Sequence, residues 1–261
     1  MAVRFSFFYL IEIQYLGFRY HGWQVQPGLK TLQGTLEKTF NYLFDNRKFK
    51  ILGAGRTDAM VSAESAYFEL FTNDELEPSS FQQELDDNLP ADMRVISIEA
   101  VDKSFNVIQD VKHKIYHYYF APVNEKYPFA SPFMNCIREP LDIAKMCEGA
   151  KLFEGENNFR YFITGDIENK STIRNIQESK IEPNSVFTAS FFPEKSFVFM
   201  VKGKGFMRYQ IRLMMGALIR LGRNEISLQD IEYALKGNPP NFQKFTAPAS
   251  GLRVKEVKFK I

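Results

Sequence analysis

Phe49-Lys50-Ile51-Leu52-Gly53-Ala54-Gly55-Arg56-Thr57-Asp58-Ala59-Met60-Val61 reads as a strand that runs into a tight turn and emerges apolar again. Phe49 to Leu52 favour extended backbone. Gly53 and Gly55 let the chain turn sharply and come close to a neighbour. The turn then presents a guanidinium, a hydroxyl and a carboxylate in immediate succession. A lone carboxylate on a short loop between buried segments is where enzymes often hold a catalytic group. An Asp that bonds its own backbone in an ordinary turn would give the same local pattern. The stretch by itself leaves both readings open.

Working outward, each flank repeats a strand-and-helix rhythm. Phe5 to Tyr15 alternates and is rich in Phe, Tyr and Ile, as a first strand should be. Residues 16–28 form a loop holding Phe18, Arg19, Tyr20 and Trp23, which either packs on the core or offers stacking surfaces to bases. Thr31 is placed to cap an amphipathic helix through Leu32, Leu36, Phe40, Leu43 and Phe44. Beyond Asp58, Ser65 to Phe71 reads as a strand. Ser79 or Ser80 opens a helix over Phe81 to Asn88, and Met93 to Ala100 alternates as a strand. The order β-α-β-β-α-β is that of a split βαβ, ferredoxin-like unit.

The remainder is again mixed. Asp110 to Pro122 is a strand candidate that contains His113-Lys114-Ile115-Tyr116-His117. A zinc-protease reading fails there, because Lys114 stands where a Glu is required and the flanks favour strand over helix. As a strand it places Lys112, Lys114, Tyr116, Tyr118 and Phe120 on one face. That face suits either nucleic acid or an aromatic core with lysines reaching outward. The proline-rich stretch 123–140 reads as a connection. Leu141 to Phe153 reads as a helix, and Ile173 to Glu182 and Ser196 to Lys204 as strands. Phe206 to Leu221 is apolar almost all round, the mark of a buried helix, yet it contains Arg212. A buried guanidinium needs a carboxylate, for which Asp58 is a candidate; near the helix start Arg212 could instead reach solvent. Ser227 caps a helix over Leu228 to Lys236, and Leu252 to Phe259 is a final strand.

Composition narrows the function classes. A chain of 261 residues fits one large domain or two moderate ones. Two cysteines, Cys136 and Cys147, make neither a disulfide framework nor a CxxC metal spacing. The opening, Met1 to Tyr9, carries one Arg and then apolar residues, and the run is broken by Glu12 and Gln14, too short and too polar for a signal peptide or membrane span; the expectation is a cytoplasmic protein with no membrane association. Gly203-Lys204-Gly205 is too sparse for a phosphate loop, and a GxGxxG reading from Gly53 meets Asp58 where a Gly is needed. Charge is uneven. Residues 1–110 carry 10 Lys/Arg against 16 Asp/Glu, and residues 111–261 carry 23 against 15, so nets of −6 and +8 make up the total of +2. A basic half suggests a polyanion partner such as nucleic acid.

Taken together, the motifs resemble those of the TruA-type tRNA pseudouridine synthases along nearly the whole chain. Gly55-Arg56-Thr57-Asp58 matches the loop around that family's catalytic aspartate. Tyr20, Gly22, Trp23, Gln24 and Gln26 match its early loop. Asn88-Leu89-Pro90, Lys114-Ile115-Tyr116, Gly155 to Phe159, Arg174-Asn175-Ile176, Phe206 with Arg212 and Gly216, and Ala247 to Leu252 follow in the family's order. Some positions depart. Ala59-Met60-Val61-Ser62 stands for the usual Ala-Gly-Val-His, Phe105-Asn106-Val107-Ile108 for Phe-His-Ala-Arg, and Arg208 and Tyr209 for two histidines.

The resemblance implies an α+β fold of two ferredoxin-like/RRM-like halves, residues 1–108 and 109–261, sharing a mostly antiparallel sheet with an active-site cleft between them. It implies that Asp58, Tyr116 and Arg212 are catalytic, that Arg56, Thr57 and Tyr116 contact substrate, and that no metal or organic cofactor takes part. The implied partner is RNA, the tRNA anticodon arm first among candidates, and the implied assembly is a homodimer. Another RNA substrate, or an RNA-binding module with little catalysis, is the alternative.

Overall fold

The structure is a computed structural model that describes residues 5–165 and 171–260; Met1 to Arg4 of the opening segment lie outside it. The chain divides into two compact units, Met1–Lys112 with Val254–Ile261, and His113–Arg253.

The first unit opens with β1 (Phe7–Tyr15), α1 (Leu32–Leu43), β2 (Phe49–Gly53), β3 (Ser62–Thr72), α2 (Pro78–Asn88) and β4 (Met93–Ala100). Its strands pair antiparallel in the order β2-β3-β1-β4, the order of the ferredoxin-like unit read from the sequence. Period-two alternation puts Tyr9, Ile11, Ile13 and Tyr15 on one buried face of β1. Against this layer α1 turns Leu32, Leu36 and Phe40, spaced at i, i+4 and i+8. Phe40 meets Phe44, Phe49, Phe68 and Phe81 at ring-centroid distances of 5.5 to 6.2 Å. Of these, Phe40, Phe44, Phe68 and Phe81 are buried, and each contributes about 1.5–3 kcal/mol by leaving water. Thr31 caps α1, accepting from the Gly34 N–H, as expected. α2 begins one to two residues before Ser79 and Ser80. Pro78 occupies the first turn, where its missing N–H costs nothing, and the Glu77 carboxylate accepts from both serine N–H groups.

The second unit contains β5 (Val111–Pro122), which begins at the end of the first, β6 (Asn135–Ile137), α3 (Ile143–Lys151), β7 (Gly155–Asn158), β8 (Ile173–Pro183), β9 (Phe197–Gly203), α4 (Gln210–Gly222) and α5 (Leu228–Leu235). β5, β9, β8 and β7 are antiparallel neighbours, and β6 adds to β5 in parallel. The sequence shows β6 as loop and leaves β7 unassigned. β6 is three residues long, and Gly155-Glu156-Asn157-Asn158 has no apolar alternation to betray a strand. α3 and α4 pack together. α4 is buried nearly all round, as its composition requires, but starts at Gln210 and not at Phe206, because Tyr209 takes a left-handed φ of 60°.

β10 (Leu252–Phe259) follows. From Val254 onward it belongs to the first unit, so the division of the chain departs from 109–261 at this point. The reason is packing. Phe259 sits edge-on to Tyr67 and Phe105, with centroids 5.1 and 5.4 Å away, Lys255 pairs with Glu64, and the Lys260 N–H donates to the Asp110 carbonyl. Among the described residues ten strands, mostly antiparallel, and five α-helices make an α+β protein, as expected. Among the described residues no helix is long and apolar enough to cross a membrane. No cluster of three or more His, Cys, Asp or Glu side chains there is arranged to hold a metal ion.

Candidate active site

Asp58 lies on the loop between β2 and β3. Its carbonyl accepts from the Val61 N–H at 3.3 Å, closing the turn Asp58-Ala59-Met60-Val61. Met60 holds the third position with φ of 67°, where a turn ordinarily calls for Gly. The left-handed region costs an L-residue about 1–2 kcal/mol, so neighbours must hold it there. They belong to the end of β1 and the loop after it. The Met60 N–H donates to the Tyr20 carbonyl at 3.0 Å, and the Trp23 N–H donates to the Thr57 carbonyl at 3.1 Å. The Gly17 N–H donates to Ser62 Oγ at 2.9 Å, and the Tyr15 hydroxyl lies 3.2 Å from Thr57 Oγ1. Gly22 is required on two counts. Its φ is 88°, and a Cβ there would stand 2.6 Å from the Thr57 carbonyl oxygen.

Of the two roles open to the aromatic loop, packing describes Tyr20 and Trp23, which are 2% and 5% exposed. Tyr20 is further fixed by its hydroxyl, which donates to Asp92 at 2.8 Å, while Arg19 pairs with the other carboxylate oxygen at 2.6 Å. Burial would raise the Asp92 pKa, but these bonds to Arg19 and Tyr20 hold the carboxyl below the usual range. Burial, then Asp92, pushes the Tyr20 hydroxyl well above the ordinary tyrosine value. The result is a rigid bed under residues 57–62. On it Asp58 and Thr57 are half-buried and Arg56 is exposed.

In the second unit Tyr116 faces Val201 across β5 and β9. Its ring stands edge-on to Phe206, with centroids 5.1 Å apart and planes at 78°. The basic-aromatic face of β5 splits in two. Tyr118 and Phe120 are core, and the Tyr118 hydroxyl donates to the Pro248 carbonyl at 2.8 Å. Lys114 and Tyr116 are half-buried, and burial lowers the Lys114 pKa to about 8. His113 and His117 lie on the same strand, which removes the helical spacing a zinc-protease site needs.

Arg212 projects from the first turn of α4 and is half-buried. Its Nε donates to the Ala247 carbonyl at 2.8 Å, and the Ala247 N–H donates back to the Arg212 carbonyl at 3.1 Å. The guanidinium carbon is 4.8 Å from the centre of the Tyr209 ring. One turn on, a Cβ at Gly216 would lie 1.7 Å from the Phe245 carbonyl oxygen. Gly216 therefore lets the segment carrying Ala247 run against the helix. Tyr116 and Arg212 thus share one support, the short segment from Phe206 to Tyr209. Asp58, Thr57 and Arg56 share another, in the first unit.

Tyr15, Met60, Gly216 and Ala247 shape the site. Gly216 and Ala247 enter the sequence reading only as matches to the family's motifs and Met60 as a departure from one, and none of the three carries a structural role there. A Gly inside an otherwise apolar helix is a signal of close packing. Tyr15 carries no such signal.

A sequence profile described as tRNA pseudouridine synthase matches residues 150–260, the stretch with Tyr209, Arg212, Gly216 and Ala247. The chain is 30% identical to the tRNA pseudouridine synthase A of Dictyoglomus thermophilum, over 95% of this chain and 98% of that one. The protein of the same name from Thermodesulfovibrio yellowstonii is 30% identical over 95% and 97% of the two chains. The chain belongs to the tRNA pseudouridine synthase A family. The protein of that name from Staphylococcus aureus, 29% identical over 95% of this chain and 90% of its own, extends the likeness. The resemblance drawn from the motifs is borne out, and it spans both units.

Proposed function

We propose that this protein is a tRNA pseudouridine synthase, an isomerase that detaches uracil from its ribose, turns it and rejoins it through C5. The observation that carries the reading is likeness along 95% of the chain to proteins named for that activity. In this reading Asp58 is the essential carboxylate, attacking the uracil ring or the anomeric carbon of the sugar. Its support is the turn that holds it, fixed by the Tyr20 carbonyl and by the Trp23 and Gly17 N–H groups. Arg212 is its ion-pair partner, keeping the carboxylate charged and oriented. Tyr116 stacks on the target base and assists proton transfer at C5. Arg56 and Thr57 hold the extruded nucleotide, since a base in a stem must leave its stack to react. The reaction is an isomerisation and needs no metal or organic cofactor. The substrate proposed is the anticodon stem-loop of tRNA, held through shape and phosphates by the basic second half. A homodimer working in the cytoplasm completes the proposal.

The test is pseudouridine mapping of RNA from cells carrying the parent or Asp58→Asn, joined to an assay of the purified protein on tRNA transcripts. Sites lost in the variant and restored by the parent name the substrate. Purified parent that forms no pseudouridine in any cellular RNA would refute the reading. Sites lost only from other RNAs would overturn the choice of tRNA.

A further inference from the structure

We infer that Arg19 and Lys30 form a phosphate-binding site for the RNA strand, carried by the loop that supports the Asp58 turn; this rests on the proposed action on RNA. Residues 1–110 have a net charge of −6, which as a whole repels a polyanion. RNA can settle on such a surface only where cations are gathered and outnumber the carboxylates beside them. The loop after β1 is such a place. The Arg19 side chain is 63% exposed, and its Nε and Nη2 both donate to Asp92 Oδ2, at 2.9 and 2.6 Å. Lys30, also exposed, holds its ammonium 4.5 Å from the centre of the Tyr20 ring. Tyr20 is buried and donates its hydroxyl to the other oxygen of Asp92. The charges of Arg19 and Lys30 both act on the Asp92 carboxylate. One carboxylate thus answers two cations, and a positive excess faces water.

The two cations are held in place as well as gathered. A salt bridge with one partner this exposed adds little stability, so the fold alone does not account for the fork on Asp92. What the fork does is fix a guanidinium. Two of the five N–H donors of Arg19 are engaged by Asp92, and the others turn away from it, in the planar array that suits a phosphate. The face of the Tyr20 ring steadies the Lys30 ammonium in its turn. The two ends of the loop are joined, since the His21 N–H donates to the Lys30 carbonyl at 2.8 Å. The loop is also tied to the turn. The Met60 N–H donates to the Tyr20 carbonyl and the Trp23 N–H to the Thr57 carbonyl. The cations therefore keep a set distance from Asp58 and from the exposed Arg56. A strand whose phosphate rests on Arg19 and Lys30 has its neighbouring nucleotides in register with the Asp58 turn.

The test uses the purified full chain and a tRNA transcript, with equilibrium binding measured at several salt concentrations and KM and kcat measured apart. Each phosphate contact adds to the salt dependence of binding, lowering affinity about threefold between about 50 and 200 mM salt. Arg19→Gln and Lys30→Gln should each weaken binding at low salt and remove about one such threefold step, and the double variant about tenfold. The loss should fall on KM, with kcat at saturating RNA within about twofold of the parent. Lys48→Gln is the control. It removes the same charge from an exposed position just before β2, at the end away from the Asp58 loop, and should leave the salt dependence as it was. An unchanged salt dependence in Arg19→Gln and Lys30→Gln would overturn the inference. So would a fall in kcat alone, which would make the two residues supports of the turn, or an equal effect of Lys48→Gln, which would reduce the site to overall charge. If the parent binds the transcript but forms no pseudouridine in any RNA, the reading of the function fails, and the salt dependence still decides the site. If turnover is intact and the salt dependence unmoved, the inference alone fails.

Discussion

Replacing Gly216 by Ala puts two large effects in opposition, and their balance can be worked from the structure. On an isolated helix the change is favourable by about 1 kcal/mol, because Ala is the best helix former and Gly among the worst. Here the new Cβ would stand 1.7 Å from the Phe245 carbonyl oxygen and 2.7 Å from its carbon. A close C–H···O contact needs about 3.3 Å, so the segment at Phe245 must retreat by about 1.6 Å. Its neighbour Ala247 would be drawn away with it, carrying the 2.8 Å bond from Arg212 past the range of a hydrogen bond. Overpacking costs about 1–3 kcal/mol and a lost charge-assisted bond about 1.5–3, so after the helix gain the net loss is about 1.5–5 kcal/mol. A displacement near 1 Å at a catalytic group lowers turnover by about 10²-fold. Urea unfolding reads the first quantity, and single-turnover pseudouridine formation reads the second. If Gly216→Ala proved as stable as the parent, or more so, with full turnover, the close approach of α4 and residues 245–247 would be refuted. So would the argument that this contact aims Arg212.

Two further substitutions test the surroundings of the site. Met60→Gly removes a side chain from a left-handed position and should stabilise the protein by about 1 kcal/mol; a loss of stability in chemical denaturation would show that the Met60 side chain contributes more than its backbone costs. Lys114, lowered to about 8 by burial, binds its proton more weakly when folded. Between that value and the unfolded lysine pKa of about 10.4 the unfolded chain holds the extra proton, so stability should rise with pH across this window. Lys114→Met should remove that rise and gain stability at pH 7 relative to the parent. Identical pH dependence in both proteins would contradict it.

Much of the fold could be read from residues alone because the signals were local. Alternation in β1 and β4, the i, i+4 spacing of α1 and the caps at Thr31 and Ser227 each lie within a few residues of what they specify. The candidate site was legible in its polar members, since Asp58 after two glycines and Arg212 within an apolar helix are conflicts that call for a reason. What escaped was set by distant chain. α4 starts late because Tyr209 turns left-handed, and no property of the sequence Arg208-Tyr209-Gln210 announces it. Met60 is held by Tyr20, forty residues earlier in the chain. The allegiance of β10 rests on Tyr67, Phe105 and Glu64, which its own alternation cannot name.

That last strand also sets an order of events during synthesis. Everything in the first unit up to Lys112 leaves the ribosome early, but Val254 to Phe259, which Tyr67 and Phe105 pack against, comes after the entire second unit. At about 5–20 residues per second, the intervening chain takes on the order of ten seconds to make. Through that interval the nascent first unit carries Tyr67 and Phe105 without the Phe259 ring that covers them in the finished fold. The unit holding Asp58 is begun first and closed last, so a message cut short before Val254 leaves its damage about two hundred residues upstream of the break.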